Sequence, residues 1–505
     1  MQLFNTIIAK AVKLRIPQIE RYVEQPHKVQ EEVFQHLINH GKHTYYGKKY
    51  HFQELRNSDE FRNRAPVTTY ESLEPLINRT MKGEKDVLWT GETKWFAKSS
   101  GTTNAKSKFI PVTKESLEDN HFKCGKDLIA LYYYTHPEAK LFTGKGLALG
   151  GSSEVNALGK NSYFGDLSAL MIKNLPFWVE LHRIPGKEIA LLAEWEKKLE
   201  EMAKAAIAED ITEISGVPSW TLVLLNKVLE ITQKETIAEV WPNIELFVHG
   251  GVSFTPYREQ YKRIIGKHIT YLEIYNASEG FFGVQDQFSL GDPSLLLMLD
   301  YGIFYEFVPL SEIDKEHPKT ISLAEVEVGK QYSLVISTTG GLWRYMPGDT
   351  ITFTSIYPYR IRVTGRTKHY INAFGEELII ENADKAIDKA CEASHATVKD
   401  YTAAPIFMKG DQQGAHEWII EFTHPPKDIN QFRTVLDETL KSLNSDYEAK
   451  RYNNYVLDLP QLVIASPNTF YNWLKEKGKL GGQNKVPRLS NNRDYVESLK
   501  QFIGV

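Results

Sequence analysis

A loop rich in hydroxyl groups, SSGTTNAKSK, occupies residues 99–108 of the chain. A glycine among small polar residues can turn several backbone N–H groups toward one point, and two lysines add positive charge beside it. Such a concavity binds anions, which makes the loop a candidate phosphate site, with an ordinary turn as the alternative. The GxxxxGK[ST] signature of nucleoside triphosphatases is absent.

Two later segments carry groups that suit a nucleotide. In YNASEG, Tyr275 can stack on a purine and Glu279 can hold Mg²⁺, which binds few carboxylates together with phosphate oxygens. In YMPGDT, Asp349 can accept hydrogen bonds from a ribose diol. Each residue has a structural alternative: core packing for Tyr275, a helix N-terminal carboxylate for Glu279 and a turn former for Asp349.

The elements around these segments predict an α/β protein. Residues 1–45, 115–135 and 190–240 are predicted to be helical, and short apolar runs bounded by glycine and proline lie between them. This alternation is typical of α/β layers with parallel strands. Residues 330–365 are almost all strand and turn and predict a small β-barrel, and a separate α+β domain is predicted to follow.

The totals limit the class of protein. At roughly 150 residues per domain, 505 residues predict two to four folding units. The content of 42% hydrophobic and 25% charged residues is that of a soluble globular protein. Because 60 basic residues nearly balance 64 acidic ones, bulk electrostatic binding to nucleic acid is not expected.

The cysteines and apolar runs predict a cytoplasmic protein without a membrane span. Cys124 and Cys391 are expected to be free thiols, and no run reaches the ~18 uninterrupted apolar residues of a span. The amphipathic amino-terminal segment is predicted to be a helix packed on the body of the protein. A transit peptide or a membrane-surface helix is the alternative, and the oligomeric state stays open.

Five segments, which follow one another in the expected order along the chain, resemble the motifs of one family. The chain is similar to the acyl-acid amido synthetases of the auxin-responsive family, and the likeness runs from about residue 65 to the carboxyl end. That family belongs to the adenylate-forming superfamily of acyl-CoA synthetases, peptide-synthetase adenylation domains and luciferases. The segments are SSGTTNAKSK, FVHGGVSFTPY, YNASEGFFG, WRYMPGD and VTGRTKHYINAFGEEL.

The resemblance implies a fold and a reaction. It implies a large N-terminal domain, residues 1–365, that binds the nucleotide and the acid, and a smaller mobile C-terminal domain, residues 366–505. The implied reaction uses ATP and Mg²⁺ to adenylate a small carboxylic acid and then joins the acyl group to an amino acid amine. An amide, AMP and pyrophosphate would be the products.

The resemblance also implies roles for individual residues. The residues that would line the ATP phosphates are Ser99, Ser100, Thr102 and Thr103. Those around the base and the α-phosphate would be Gly251 and Val252 at the adenine, Tyr275 stacked on it, and Ser278. Those at the metal and the ribose would be Glu279 on Mg²⁺ and Asp349 with Arg366. Lys485 would be the mobile lysine that reaches the phosphate or acyl oxygen, and Lys368 would lie in the hinge.

Departures from the family pattern leave alternatives. The phosphate loop has one glycine where many superfamily members have several, and Lys368 stands where many have aspartate. Arg488 is an alternative to Lys485. An acid–CoA ligase that shares the adenylation step, and a nucleotide-binding protein without catalysis, are the competing functions.

The acid itself is weakly encoded in the sequence. Leu170, Phe177 and Trp178 are candidate walls of an acyl pocket, although apolar residues of this kind more often form core. His182 and His249 are possible bases, but a structural role is the stronger interpretation of each, and neither is assigned to catalysis.

Overall fold

A computed structural model describes most of the chain. The described residues are 2–99, 108–150, 155–158, 161–192, 195–251, 254, 257–288, 294–313, 315–366, 370–371, 373–374, 376, 378–407, 413–444, 447–448, 451, 457–480, 486–490 and 492–504. They divide into two compact units. The first unit comprises Met1–Val252, Gln260–Pro347 and Ile351–Val363, and the second comprises Ser253–Glu259, Gly348–Thr350 and Thr364–Val505. The predicted domain ranges 1–365 and 366–505 remain a prediction.

The helices alternate with strands through most of the first unit. The helices, in chain order through both units, are α1 Gln2–Lys13, α2 Ile16–Glu24, α3 Pro26–Gly41, α4 Tyr45–Lys49, α5 Ser58–Arg64, α6 Tyr70–Met81, α7 Lys114–Ser116, α8 Phe122–Thr135, α9 Leu167–Asn174, α10 Phe177–His182, α11 Lys187–Ala190, α12 Trp195–Ile207, α13 Pro218–Thr232, α14 Ile237–Val240, α15 Arg258–Ile265, α16 Ile380–Ser394, α17 Ile429–Leu443, α18 Thr469–Glu476 and α19 Asp494–Ile503.

The strands form one large sheet and three smaller ones. They are β1 Trp95–Ser99, β2 Lys108–Val112, β3 Lys145–Ala148, β4 Asn156–Ala157, β5 Tyr163–Gly165, β6 Arg183–Ile184, β7 Ile211–Gly216, β8 Leu246–Gly250, β9 Thr270–Ala277, β10 Gly280–Gln285, β11 Leu295–Leu297, β12 Ile303–Pro309, β13 Gln331–Thr338, β14 Asp349–Ile356, β15 Tyr359–Arg366, β16 Tyr370–Ile371, β17 Leu378–Ile379, β18 Thr397–Ile406, β19 Ala415–His424 and β20 Gln461–Ala465. The smaller sheets have the orders β2-β1-β5-β4, β16-β17 and β18-β19-β20.

The large sheet has eleven strands in the order β12-β13-β14-β15-β11-β10-β9-β8-β7-β3-β6. Its end at β6 is parallel, since β6, β3, β7, β8 and β9 pair in parallel. From β9 onward, the pairs β9–β10, β10–β11 and β11–β15 are antiparallel. The predicted α/β layers with parallel strands are therefore confirmed.

The small barrel predicted for residues 330–365 is wrong. The strands of that region, β13, β14 and β15, join the large sheet because β15 pairs with β11, which in turn pairs with β10. Among the described residues, the strand order begins at β12 and ends at β6, so the sheet does not close into a barrel. The strand pattern was visible in the sequence, but the partner of β15 lies more than 60 residues away along the chain.

A strand was also missed inside the segment predicted to be helical at 190–240. The run ITEISG forms β7 between α12 and α13. Its β-branched residues suit a pleated strand, and it pairs with β3 on one side and β8 on the other. The six residues of this strand lie between two segments that strongly favour helix, and so short a strand pattern was not recognised beside them.

The amino-terminal helix packs on the first unit, as predicted. The Asn5 side chain donates to the Ala139 carbonyl at 3.2 Å, and the Phe142 N–H donates to Asn5 Oδ1 at 3.1 Å. Arg15 forms two hydrogen bonds with the buried carboxylate of Asp127. A search of the described helices found none with the length and hydropathy of a membrane span.

The second unit has its own core and mixes helices with strands, as predicted. β18 and β19 pair antiparallel, and β19 and β20 pair in parallel. The helices α16 and α17 contribute a buried apolar face to the core that also contains Trp418 and Ile420. The segments predicted from the sequence as helix, strand, helix and strand correspond to α16, β19, α17 and β20.

Candidate active site

Some of the predicted site residues lie outside the part of the chain that the structure describes. Those beyond the described residues are Ser100, Thr102, Thr103, Val252, Lys368 and Lys485. For three others only the backbone is described: Ser99 ends β1, Trp178 lies in α10, and Arg366 ends β15. Their predicted roles stay predictions.

The candidate phosphate loop connects two paired strands. β1 and β2 are antiparallel, with Ser99 opposite Lys108 and Trp95 opposite Val112. On the β2 side the Phe109 N–H donates to the Tyr70 hydroxyl at 3.0 Å, and the Lys108 ammonium lies 5.6 Å from the centre of the Tyr70 ring. The carboxyl-terminal end of the loop is therefore anchored to the first turn of α6.

Gly251, one of the candidate adenine residues, follows the parallel strand β8 at its carboxyl end. Gly250 stands opposite Ile274, and a Cβ at Gly250 would lie 2.5 Å from the Ile274 carbonyl oxygen. Gly251 has a φ of +82°, which favours glycine. The chain thus makes a close turn at the edge where α/β sheets bind ligands.

Tyr275 lies near the end of β9 and is largely buried. Its ring centroid is 4.7 Å from that of Phe282 on β10, with the planes tilted by 48°. The core-packing alternative therefore describes part of its environment, and stacking on a purine stays a prediction.

Ser278 is buried, and its hydroxyl has no hydrogen-bond partner among the described residues. Leaving a buried hydroxyl unpaired costs about 1–3 kcal/mol, so such a group calls for an explanation. A nucleotide phosphate oxygen would satisfy it. The side chain therefore fits the predicted place beside the α-phosphate.

Glu279 lies in the turn between β9 and β10, where Ala277 pairs with Gly280. This position excludes the helix N-terminal alternative. The Asn120 side chain holds the start of β10, because it accepts from the Phe281 N–H at 2.7 Å and donates to the Tyr301 carbonyl at 3.0 Å. The half-buried carboxylate is thus fixed to a rigid turn, and a carboxylate in this setting suits a magnesium ion.

Tyr345 reaches the same carboxylate. Its buried hydroxyl lies 3.5 Å from Glu279 Oε1. Burial and the nearby charge of Glu279 raise the pKa of Tyr345 well above its ordinary value, so the hydroxyl stays protonated and can donate. Sequence reasoning used the segment WRYMPGD for Asp349 and missed this tyrosine, although the motif contained it.

Asp349 begins β14 and belongs to the second unit. It is buried, and the neighbouring Thr350 hydroxyl accepts from the Thr364 hydroxyl at 3.1 Å within that unit. The ribose role of Asp349 stays a prediction.

Arg488 is committed to other partners. Its guanidinium donates to Asp400 Oδ1 at 2.5 Å, to the Tyr401 carbonyl at 3.3 Å and to the Tyr257 hydroxyl at 3.3 Å, all within the second unit. It also lies 4.5 Å from the centre of the Tyr401 ring. These contacts give Arg488 a structural environment, and the choice between Arg488 and Lys485 stays a prediction.

Two of the candidate acyl-pocket residues, Leu170 and Phe177, differ in burial, and their predicted role stays a prediction. Leu170 is fully buried in the core of the first unit, whereas the Phe177 side chain is 77% exposed on α10. The apolar residues of this segment lie in two different environments, buried core and exposed surface, and the sequence alone does not distinguish them.

The two histidines have structural surroundings. His249 is buried in the central strand β8, with its ring 5.4 Å from that of Phe247. His182 packs on the Phe142 ring at 4.6 Å, and its Nε2 lies 3.8 Å from Glu213 Oε1. Burial lowers the pKa of His182 to about 4 and raises the pKa of Glu213 to about 7, so neither group is charged at pH 5.5.

These shifts predict opposite pH dependences of stability. Because the folded pKa of Glu213 lies above its ordinary 4.5, its contribution to stability is lost as the pH rises toward 7. Because the folded pKa of His182 lies below its ordinary 6.5, its contribution is lost as the pH falls toward 4. Glu213→Gln should therefore raise the melting temperature at pH 8 and leave it nearly unchanged at pH 4.5.

The measurement is thermal unfolding of wild type and variant between pH 4.5 and 8. Glu230→Gln is the matched control, since Glu230 is an exposed partner of Lys227. A difference between Glu213→Gln and wild type that does not change with pH would show that Glu213 is already ionised in the folded protein.

The fold is that of adenylate-forming ligases. A solved structure titled GH3.15 acyl acid amido synthetase superposes with a TM-score of 0.81 at 18% identity, covering 97% of this chain and 96% of that one. A 2-hydroxyisobutyryl-CoA ligase bound to its acyl-adenylate superposes with a TM-score of 0.59 at 12% identity, covering 98% of this chain and 92% of the ligase.

The chain belongs to the GH3 family. Its residues 15–269, 296–366 and 381–494 match the N-terminal, central and C-terminal domains of that family. An indole-3-acetic acid-amido synthetase, GH3.3 of Arabidopsis thaliana, is 22% identical over 95% of this chain and 92% of its own length. A jasmonoyl–L-amino acid synthetase, JAR4 of Nicotiana attenuata, is 23% identical over 66% of this chain and 68% of its own length. The predicted family is confirmed.

Proposed function

We propose that this protein is an acyl-acid amido synthetase, which adenylates a carboxylic acid with ATP and passes the acyl group to the amine of an amino acid. Membership of the GH3 family, with relatives named as amido synthetases that match most of the chain, supports this enzyme class. The observation that carries the site is that one turn holds both the Glu279 carboxylate and the buried Ser278 hydroxyl, which has no hydrogen-bond partner among the described residues.

The chemistry explains why such a site is needed. A carboxylate does not react with an amine at neutral pH, because oxide is too poor a leaving group. Attack of the carboxylate on the α-phosphorus of ATP forms the acyl-adenylate and releases pyrophosphate. The neutral amine then attacks the acyl carbonyl, and AMP leaves as the amide forms. Positioning and electrostatic stabilisation do most of this work.

Different residues would have different roles in the first step. The first step brings an anion to a polyanion, so cations and hydrogen-bond donors must offset the repulsion. Glu279 would hold Mg²⁺, which when bound neutralises charge on the phosphates. Ser278 would donate its hydroxyl to the α-phosphate, and the loop at residues 99–108 would bind the other phosphates. Tyr275 would stack on the adenine, and Asp349 with Arg366 would hold the ribose.

The second step needs the phosphate side of the site to open to an amine. Lys485 would neutralise charge in the first step, and rotation of the smaller domain about a hinge at Lys368 would then admit the amino acid. The contacts of Arg488, the alternative to Lys485, with Asp400 and Tyr257 support the choice of Lys485 for the first of these roles.

Pyrophosphate exchange tests the first step alone. The protein would be given Mg-ATP, labelled pyrophosphate and pools of aryl and aliphatic acids, with no amine or CoA. Label that returns to ATP only in the presence of an acid supports adenylation. No exchange with any pool, from a protein that still binds ATP, would favour the nucleotide-binding alternative.

A further inference from the structure

One turn of π-helix lies between α7 and α8 in the first unit. Residues Leu117–His121 form this π-turn, and the Phe122 N–H donates to the Leu117 carbonyl, five residues earlier in the chain. Single π-turns inside helices are rare and are frequent at functional sites. Asn120 lies in the π-turn and is buried, and a buried side-chain amide needs hydrogen-bond partners.

The Asn120 amide contacts both backbone groups of Phe281. Its Oδ1 accepts from the Phe281 N–H at 2.7 Å, and its Nδ2 donates to the Phe281 carbonyl at 3.4 Å and to the Tyr301 carbonyl at 3.0 Å. A neighbouring strand would give a residue the same kind of contact through its own N–H and carbonyl groups. Asn120 therefore takes the place of a strand partner near the start of β10.

Phe281 lies where the pairing of β9 with β10 is interrupted. Phe281 stands opposite Asn276, but the next pair is Gly283 with Tyr275, so β10 has one extra residue at Phe282. A bulge of this kind disrupts the ladder of hydrogen bonds locally. Only two residue pairs therefore separate the bulge from the turn that precedes β10.

That turn carries the two residues that the proposed function needs. Ser278 and Glu279 come directly before Gly280, the first residue of β10. A Cβ at Gly280 would lie 2.8 Å from Ile303 Cδ1 and 3.5 Å from Asn120 Nδ2, so the backbone passes close to the amide. Displacement of this backbone would move both side chains, and a misplacement of about 1 Å can reduce a reaction rate about a hundredfold.

We infer that Asn120, presented by the π-turn, is a positioning residue of the adenylation site: its amide fixes the backbone of Phe281 and thereby the turn at Ser278 and Glu279. This inference rests on the proposed function, since it takes Glu279 as the metal ligand. Because Asn120 acts through the backbone, the test needs a readout of the turn as well as a readout of metal binding.

Gln30 provides a matched control. It is another buried amide of the first unit with the same pattern of three hydrogen bonds to backbone. Its Oε1 accepts from the Tyr305 N–H at 2.9 Å, and its Nε2 donates to the carbonyls of Leu299 and Ile303 at 2.8 and 2.9 Å. These contacts hold the connection between β11 and β12, so Gln30→Leu should cost similar stability without acting on the turn at Glu279.

Asn120→Leu should loosen the turn. Amide hydrogen exchange would be measured without nucleotide on the peptide that covers residues 278–282. Exchange should become about tenfold faster, because the buried Phe281 N–H loses its acceptor. In Gln30→Leu the same peptide should exchange within about twofold of the wild-type rate. Equal acceleration in both variants, or no acceleration in Asn120→Leu, would overturn the inference.

Asn120→Leu should also weaken metal binding. The probe is Mn²⁺ in the presence of α,β-methylene-ATP, with binding followed by the loss of the free-ion paramagnetic resonance signal. The Mn²⁺ dissociation constant should rise about tenfold, a usual effect of removing a group that supports a metal ligand. It should not change in Gln30→Leu, since a dissociation constant does not depend on the fraction of protein that is folded.

Asn120→Asp is the second variant if Asn120→Leu does not fold. It keeps an oxygen that can accept from the Phe281 N–H and loses the two donations to carbonyls. Both effects should therefore be smaller, about threefold, and in the same direction. Wild-type hydrogen exchange together with a wild-type Mn²⁺ dissociation constant in this variant would overturn the inference.

Glu279→Gln separates this inference from the proposed function. If Glu279→Gln weakens Mn²⁺ binding and Asn120→Leu does not, the metal assignment stands and the positioning role of Asn120 is wrong. If Glu279→Gln leaves Mn²⁺ binding unchanged, the metal assignment fails and the inference fails with it, even where the turn exchanges faster.

Discussion

Glu279→Gln is expected to reduce acid-dependent pyrophosphate exchange by about a thousandfold or more, while ATP binding persists. The substitution keeps the size of the side chain but removes the charge that would hold the metal, and a metal supplies several kcal/mol of stabilisation to charge developing on phosphorus. The turn itself should survive, since Asn120 and the pairing of β9 with β10 hold it. The assay is exchange at saturating acid, with ATP affinity measured separately.

Glu327→Gln is the control for this result. Glu327 is an exposed glutamate of the same unit that pairs with Lys330, and its substitution should leave the exchange rate unchanged. Exchange by Glu279→Gln at the wild-type rate would contradict the metal role. Loss of ATP binding by that variant would instead show that Glu279 supports the nucleotide site as a whole.

Glu306→Gln is expected to destabilise the protein by about 3–5 kcal/mol, because removing one partner of a buried ion pair leaves the other charge uncompensated. Arg344 and Glu306 are both almost completely buried, and the Arg344 guanidinium also donates to the backbone of Arg62 and Ala65. The pair joins the segment before α6 to β12 and to the backbone around Tyr345. Denaturant unfolding of wild type and variant measures the difference.

The Glu327→Gln variant again provides the control, since an exposed ion pair contributes less than about 1 kcal/mol. A loss of stability for Glu306→Gln no larger than that of the control would show that Arg344 finds other acceptors.

Local patterns predicted most elements of the fold but not their long-range partners. The helices α16 and α17 are visible as periodic runs, because each buries one face against the core of the second unit. The strands β19 and β20 are visible as short apolar-rich runs. The pairing of β15 with β11 could not be derived in this way and led to the wrong barrel. β7 was hidden because six residues between two helices are too few for a separate pattern.

For the site, the motifs identified candidate residues but not the side chains that contact them. YNASEG pointed to Ser278 and Glu279, and the structure adds that one hydroxyl is buried without a described partner and that one carboxylate lies in a hairpin turn. The contact of Tyr345 with Glu279 was missed because the two residues lie 66 positions apart in the chain. The exposure of Phe177 could not be predicted, because an apolar letter does not state whether its side chain is covered.

Product analysis by mass spectrometry tests the central proposal most directly. The protein would be given Mg-ATP and pooled carboxylic acids, with pooled amino acids in one arm and CoA in the other. The proposal predicts AMP and a new mass equal to one acid plus one amino acid minus water in the first arm. A thioester in the CoA arm, with no amide in the amino acid arm, would contradict it and identify an acid–CoA ligase.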